Sequence, residues 1–392
     1  MKVLILASVA SMIEQFNMQN IILLQEQGYT VDVACNFMVG NNLSKEKIND
    51  LLYLLKEKNV NAFQIDFDRN VFNLFADFRS LIQVKNVVKG LSPSLNNARE
   101  IDKEKYVLIH SHSPIGGMVG RFISKRFHIF SIYTAHGFHF YKGGPKKNWI
   151  IFYPIEKFLS SWTDILITIN KEDYQLAKNK FSAKKTYYIP GIGIDCQKYN
   201  LDNFDMRKYR EKLGIKMNDY MILSVGELNK NKNHELVIRT VAEMKNSSIH
   251  YFIAGIGKNK DYYENLSKQL HIHKQIHLLG YRKDIPELNH SADVFAFPSI
   301  REGLGIAAIE SLACGTPVCG MNTRGINEYV INGKTGYLFD NTIESCKSAL
   351  EEARNVKCKM SKFCIQISEK FSQERVNKIM KEIYGQIPRS PY

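Results

Sequence analysis

No run of about eighteen consecutive apolar residues occurs anywhere in the chain, which excludes an obvious membrane-spanning helix. Prolines number only 10 in 392 residues and no low-complexity tract is present, which argues against a long disordered or polyproline segment. The seven cysteines (Cys35, Cys196, Cys314, Cys319, Cys346, Cys358 and Cys364) are odd in number and form no Cys-x-x-Cys pair. That usage fits neither a disulfide framework nor a zinc ribbon and suits a reduced, cytoplasmic compartment. Neither Gly-x4-Gly-Lys-Ser/Thr nor Gly-x-Ser-x-Gly is found, so a Walker-type nucleotidase and a serine nucleophile elbow are both disfavoured. No zinc finger, RNP-like strand or basic heptad region supports nucleic-acid binding. The opening Met1-Lys-Val-Leu-Ile-Leu-Ala7 is interrupted too soon to read as a signal peptide. Acidic residues are also scarce, 39 against 53 lysines and arginines, a net charge of +14. Such an excess suits phosphate-rich partners: an anionic membrane surface or a diphosphate substrate.

The length suits two domains of similar size. Apolar strand-like runs (Val3–Ala7, Val107–His110, Met221–Val225, Val294–Pro298 among them) alternate with helical patterns throughout. Repeated β-α-β units with buried-type strands predict an α/β protein with two Rossmann-like, doubly wound parallel sheets, whose ligands bind beyond the carboxyl ends of the strands. The series restarts after Pro190-Gly-Ile-Gly-Ile-Asp195. The expected domains are therefore 1–190, 191–370, and a C-terminal helix within 371–392 returning toward the first domain.

Candidate chemistry clusters in the second half. Pro298-Ser-Ile-Arg-Glu-Gly-Leu-Gly-Ile-Ala-Ala-Ile-Glu310 reads as strand, tight loop and helix N-terminus, with Glu302 and Glu310 eight residues apart. Such a turn sets backbone N–H groups and a positive dipole end beside an anionic ligand; two unremarkable glutamates on a βα connection are the plainer alternative. Gly226 permits a tight strand exit, after which Lys230 or Lys232 can place an ammonium on a diphosphate. Gly255-x-Gly257 would let backbone approach a ligand, although a lone pair of glycines is a weak signal. Backbone after Tyr281 can edge-bind a base, with Arg282 nearby. In the first half, His136 ends a strand where an imidazole can meet a reacting sugar. His110 and His112 lack carboxylate or cysteine partners at ligand spacing, and Asp66 and Asp68 read as a solvated strand end; no metal is expected.

The ordered set Lys232, Gly255-x-Gly257, Gly280, Pro298-Ser-x-x-Glu-Gly303, Glu310 and Gly315-x-Pro317-Val resembles the retaining GT-B glycosyltransferases of family 4 type. The strings Ile132-Tyr-Thr-Ala-His-Gly-Phe-His-Phe-Tyr-Lys-Gly144 and Val225-Gly-Glu-Leu-Asn-Lys-Asn-Lys-Asn-His234 resemble its bacterial capsule and exopolysaccharide branch. The resemblance implies two domains facing across a cleft. It assigns Glu310 to the donor ribose, and Glu302 with the amides of Gly303, Leu304 and Gly305 to the donor sugar. Lys232 falls to the diphosphate and His136 to the reacting centre. Where most of the wider family has arginine after the first glycine, this chain has Glu227, so Lys232, helped by Lys230, would carry the diphosphate.

The expectation is a cytoplasmic, cofactor-free enzyme transferring a sugar from a nucleotide-diphosphate sugar, UDP-linked, to a lipid-linked saccharide acceptor. Peripheral attachment to the anionic inner membrane face is expected through Arg121, Lys125, Arg126, Phe138, Phe140, Tyr141, Lys142, Lys146, Lys147 and Trp149. Alternatives are a GT-B nucleotide-sugar epimerase and a non-catalytic nucleotide-sugar-binding partner subunit.

Overall fold

A computed structural model describes residues 1–40, 43–68, 74–101, 104–201 and 204–388, with backbone alone for 74–77. Residues 389–392 of the expected tail therefore lie outside the described residues. The chain divides into two compact units, Gly193–Arg375 and a first unit formed by Met1–Ile192 with the chain from Val376 onward.

In the first unit, strands β1 (Lys2–Val9), β2 (Thr30–Asn36), β3 (Asn61–Gln64), β4 (Tyr106–His112), β5 (Phe130–Ala135), β6 (Ile165–Thr168) and β7 (Lys185–Tyr188) form one parallel sheet in the order 3-2-1-4-5-6-7. In the second, β8 (Tyr220–Val225), β9 (Ile249–Ala254), β10 (Ile276–Gly280), β11 (Val294–Phe297), β12 (Val318–Met321) and β13 (Gly336–Phe339) follow the order 10-9-8-11-12-13, again all parallel. Helices complete both doubly wound α/β units. The apolar runs that mark the central strands are buried on both faces, as parallel sheets require. Asn332-Gly-Lys-Thr-Gly336 turns directly into β13, which lies parallel to β12. Among the described residues no helix is long and apolar enough to cross a membrane.

The first unit buries much of what the sequence placed on its surface. Arg121 is fully buried in helix Pro114–Phe127: its Nη1 donates to Glu156 Oε2 at 2.8 Å, its Nε to the Gly117 carbonyl at 2.8 Å, and its guanidinium lies 4.0 Å from the Tyr133 ring centroid. Phe138 and Phe140 stack with centroids 5.1 Å apart inside an aromatic core with Tyr153 and Phe181. Trp149 joins that core, its Nε1–H donating to the Tyr141 carbonyl at 3.1 Å. Arg121, Phe138 and Phe140 cannot meet a membrane: the two phenylalanines have almost no exposed area to offer and the arginine's charge is already matched, whereas Trp149 is only partly buried. Lys125, Arg126, Lys142, Lys146 and Lys147 are exposed.

The helix Gln373–Tyr384 is anchored in the first unit through its last turn. The Tyr384 hydroxyl meets His110 Nδ1 at 2.9 Å, while His110 Nε2 meets Thr134 Oγ1 at 2.8 Å. Gln386 bonds the Tyr187 hydroxyl, and Lys381 pairs with Glu26 at 2.9 Å. Within the second unit the two segments beside the chain crossings pair with each other: Ile194 N–H donates to the Phe371 carbonyl at 2.9 Å and Gln373 N–H to the Ile194 carbonyl at 2.8 Å.

Two outcomes follow from these buried ionisable groups. Arg121→Ala strands the Glu156 carboxylate in the interior and should cost about 3–5 kcal/mol in urea unfolding; a loss below 1 kcal/mol would mean that water reaches Glu156. Burial lowers His110 and His234 to about 3 and His136 and His277 to about 4, so the folded protein keeps them neutral. Unfolded, they titrate near 6.5 and bind protons that the folded state refuses. Their contribution to stability is complete above about pH 6.5 and lost on acidification toward pH 4, so Tm should fall between pH 7 and pH 5 in calorimetry. A flat profile there would contradict the burial.

Candidate active site

The strand order of the second unit reverses between β8 and β11, the position at which doubly wound sheets take their ligands beyond the strand carboxyl ends. The loop leaving β8 (226–233) and the loop leaving β11 (298–305) are tied together there by three contacts. Ile300 N–H donates to the Asn231 carbonyl at 2.9 Å, Asn231 Nδ2 donates to the Arg301 carbonyl at 3.0 Å, and Lys232 Nζ meets Glu302 Oε1 at 2.6 Å. The ion pair is largely shielded, its side chains 23% and 14% exposed, and Lys232 Nζ also lies 5.2 Å from the Phe297 ring centroid. Two residues that the sequence assigned to one reaction thus touch, although 70 positions separate them.

Each loop ends at a helix, His234–Met244 and Ile306–Ala313. The residues that start them, Asn233 (φ 53°) and Gly305 (φ 86°), are left-handed, and neither helix has a side-chain cap. Their first-turn amides keep the partial positive charge that suits an anion. Gly305 is obligatory twice over, because a Cβ there would also lie 2.4 Å from the Phe297 ring. Gly325 (φ 78°) serves the same loop, since its missing side chain lets the Gly303 carbonyl approach to 2.6 Å of the position a Cβ would fill. Leu304 is buried beneath the turn.

Glu310 lies in the helix Ile306–Ala313, where burial raises its carboxyl above the ordinary range and a hydrogen bond from the Tyr199 side chain pulls it back. Tyr199 ends the 3-10 turn Cys196–Tyr199, and its carbonyl accepts from His290 Nε2 at 2.7 Å. Burial, and then the Glu310 charge, hold the Tyr199 phenol protonated. The sequence reading missed Tyr199, because nothing in its local pattern announces a partner more than a hundred residues away.

Other expected donor residues take different parts. A Cβ on Gly255 would fall 1.8 Å from the Gly226 carbonyl oxygen, and one on Gly257 would fall 2.5 Å from the Leu228 carbonyl oxygen. Both glycines are required by the close approach of the β8 exit loop, so the space they leave is already filled by the protein. Arg282 is committed to Asp284, Nε to Oδ1 at 2.7 Å and Nη2 to Oδ2 at 2.5 Å, so its charge is neutralised in place. Tyr281 is 62% exposed, and Lys230 and Glu227 are exposed on the β8 loop.

In the first unit, His136 Nε2 lies 3.1 Å from His112 Nδ1, and the Phe16 ring meets its imidazole edge-on at 5.1 Å. Nδ1 of His136 is buried without a hydrogen-bond partner among the described residues. Asp66 accepts from Gln64 at 3.0 Å and from Gln83 at 2.8 Å, contacts that hold its carboxyl below the ordinary range. Among the described residues no group of three or more His, Cys, Asp or Glu side chains is arranged to hold a metal ion.

Comparison with known proteins agrees with this architecture. The family model described as glycosyl transferases group 1 matches residues 205–370, and that described as glycosyltransferase family 4 matches residues 21–198. The chain is 37% identical over 246 residues to a putative glycosyltransferase, EpsD of Bacillus subtilis, an alignment spanning 61% of this chain and 65% of that relative's length. It is 28% identical over 366 residues to the UDP-Gal:alpha-D-GlcNAc-diphosphoundecaprenol alpha-1,3-galactosyltransferase of Escherichia coli, spanning 90% of this chain and 87% of the other. HepE of Anabaena, solved in complex with UDP and glucose, superposes with a TM-score of 0.73 at 18% identity, covering 98% of this chain and 99% of that one, a likeness of fold. With both halves matched and both sheets in this topology, the chain belongs to the GT-B glycosyltransferases of family 4 type.

Proposed function

We propose that this glycosyltransferase moves a sugar from a UDP-sugar to a lipid-linked saccharide in capsule or exopolysaccharide assembly, with retention at the anomeric carbon. The Lys232–Glu302 pair at the switch point of the second sheet carries the reading. A diphosphate seated at the uncapped helix starts would draw the Lys232 ammonium onto its oxygens, and Glu302 would then accept from donor-sugar hydroxyls. Glu310 would accept from the ribose hydroxyls, a role matched to a carboxylate already taking a neutral O–H donor from Tyr199. The bond between the anomeric carbon and the β-phosphate oxygen breaks, and the acceptor oxygen bonds that carbon. The acceptor proton passes to the departing phosphate, which leaves as the nucleoside diphosphate. Lys232 stabilises the charge that grows on that leaving group, the part of the reaction where a fixed cation contributes most.

His136, kept neutral by burial, would act as a hydrogen-bonding partner rather than as a cation. No cofactor takes part in this scheme. The polyprenyl-diphosphate acceptor and the UDP-sugar donor are supported by what the Escherichia coli relative and the Anabaena neighbour are named for. Such an acceptor places the enzyme peripherally at the cytoplasmic face of the membrane.

The test is nucleotide release from a panel of UDP-, GDP- and dTDP-sugars, with and without polyprenyl-diphosphate saccharides. Release from one donor, raised by acceptor, is the expected result; a new nucleotide sugar formed without acceptor would replace the transferase with an epimerase. Lys232→Ala should lower kcat by roughly 100-fold or more, the scale for losing one preorganised charge donor. Glu310→Ala should raise the donor KM by roughly ten- to a hundred-fold, the worth of hydrogen bonds to a charged acceptor. Tyr199→Phe should raise the same KM by about tenfold with kcat nearly unchanged, because it removes Glu310's orienting donor; an improved KM would instead mark Tyr199 as a competitor of the ribose.

A further inference from the structure

Helix Lys146–Ser160 buries Glu156, Leu159 and Ser160 on one side and leaves large apolar side chains on the other. Ile150 is 74% exposed, Ile151 36%, Ile155 45% and Phe158 59%. Positions 151, 155 and 158 recur at the spacing of one helix face. The stripe continues past the helix end, where the Trp162 ring packs edge-on against Phe158 (centroids 4.8 Å) and against Phe122 (6.1 Å), itself 45% exposed on the neighbouring helix. Exposed large apolar residues scattered singly are ordinary, but a contiguous set is not.

The exposed charges carried by this stretch of chain share one sign; of the carboxylates just beyond it, Asp164 is paired with Lys184 and Glu172 accepts from the Lys142 amide. Lys125, Arg126, Lys142, Lys146, Lys147 and Lys157 are exposed, and between Pro114 and Thr163 the one carboxylate is Glu156, which is committed to Arg121. We infer that the Phe122–Ile151–Ile155–Phe158–Trp162 face lies in the headgroup region of an anionic phospholipid bilayer, with the helix parallel to the surface and the lysines at its margin. Charge decides between the possible occupants. In a two-fold dimer through this face the same patch would meet itself, bringing unpaired lysines and arginines against their own copies. An anionic bilayer offers apolar depth and opposite charge together.

This inference rests on the proposed use of a lipid-linked acceptor and replaces the buried Arg121, Phe138 and Phe140 with residues that have surface to contribute. The test reads binding rather than turnover, so it can fail while the transferase reading stands, and the reverse. Wild type and the variants Ile155→Ser/Phe158→Ser and Lys146→Glu/Lys147→Glu are sedimented with vesicles of phosphatidylcholine alone or with 30% phosphatidylglycerol. In parallel, Trp162 emission is followed in Trp149→Phe protein, and size and melting are measured without lipid. The expected result is binding to the anionic vesicles only, weakened about tenfold or more in 0.5 M salt and by each double substitution, with a blue shift of Trp162 and an unchanged melt. Equal binding of the variants and wild type would overturn it. So would a dimer in solution that the Ile155→Ser/Phe158→Ser variant dissolves, which would assign the face to a second copy.

Discussion

An ammonium and a carboxylate 2.6 Å apart, Lys232 and Glu302, close the one place in the second unit where strand order reverses. Each group alone would be an uncompensated charge at a mostly shielded site, and together they hold two loops in register. The neighbouring backbone is arranged around that closure. Gly255 and Gly257 admit the β8 loop, Gly325 admits the Gly303 carbonyl, and Gly305 turns the chain into its helix without colliding with Phe297. A ligand with an anion and hydroxyls would therefore meet a preorganised pair and exchange one set of partners for another. An anion without hydroxyls would leave Glu302 bereft of its cation and unpaired.

The same interaction shows how far sequence reading reaches. Lys232, Glu302 and Glu310 were legible because each follows an apolar strand run by a short, glycine-marked turn, and strand–turn–helix grammar is local. The long central strands were legible for the same reason, being flanked on both faces by helices and apolar almost without break. Two strands were not. β3 (Asn61–Gln64) and β13 (Gly336–Phe339) are four-residue edge strands paired on one side, one opening on asparagine and the other on glycine, and their apolar runs are only two and three residues long.

Partners distant in sequence decided the remaining misreadings. Arg121 looks like a surface cation until Glu156 supplies its carboxylate from 35 residues away. Helix Lys146–Ser160 is apolar enough on both sides that its pattern cannot say which side faces the core; Trp149, Phe152 and Tyr153 went inward and Ile150, Ile151, Ile155 and Phe158 stayed out. Tyr199 reaches Glu310 only once the chain has folded back on itself.

The excess positive charge of the chain then acquires a location. A net +14 invites the thought that it serves a diphosphate, but the two least exposed cations of the expected site are held by their own acids, Lys232 by Glu302 and Arg282 by Asp284. Cations neutralised in this way recognise a ligand by exchange, which rewards geometry, and they add little to any field felt at a distance. The segment from Pro114 to Thr163 is the opposite case, with exposed cations and no exposed carboxylate between those residues. Charge of that kind acts at long range and without regard to shape, which suits a surface and not a site. Catalysis and attachment thus draw on different kinds of electrostatics in different parts of one chain, and substitution in either should leave the other's chemistry in place.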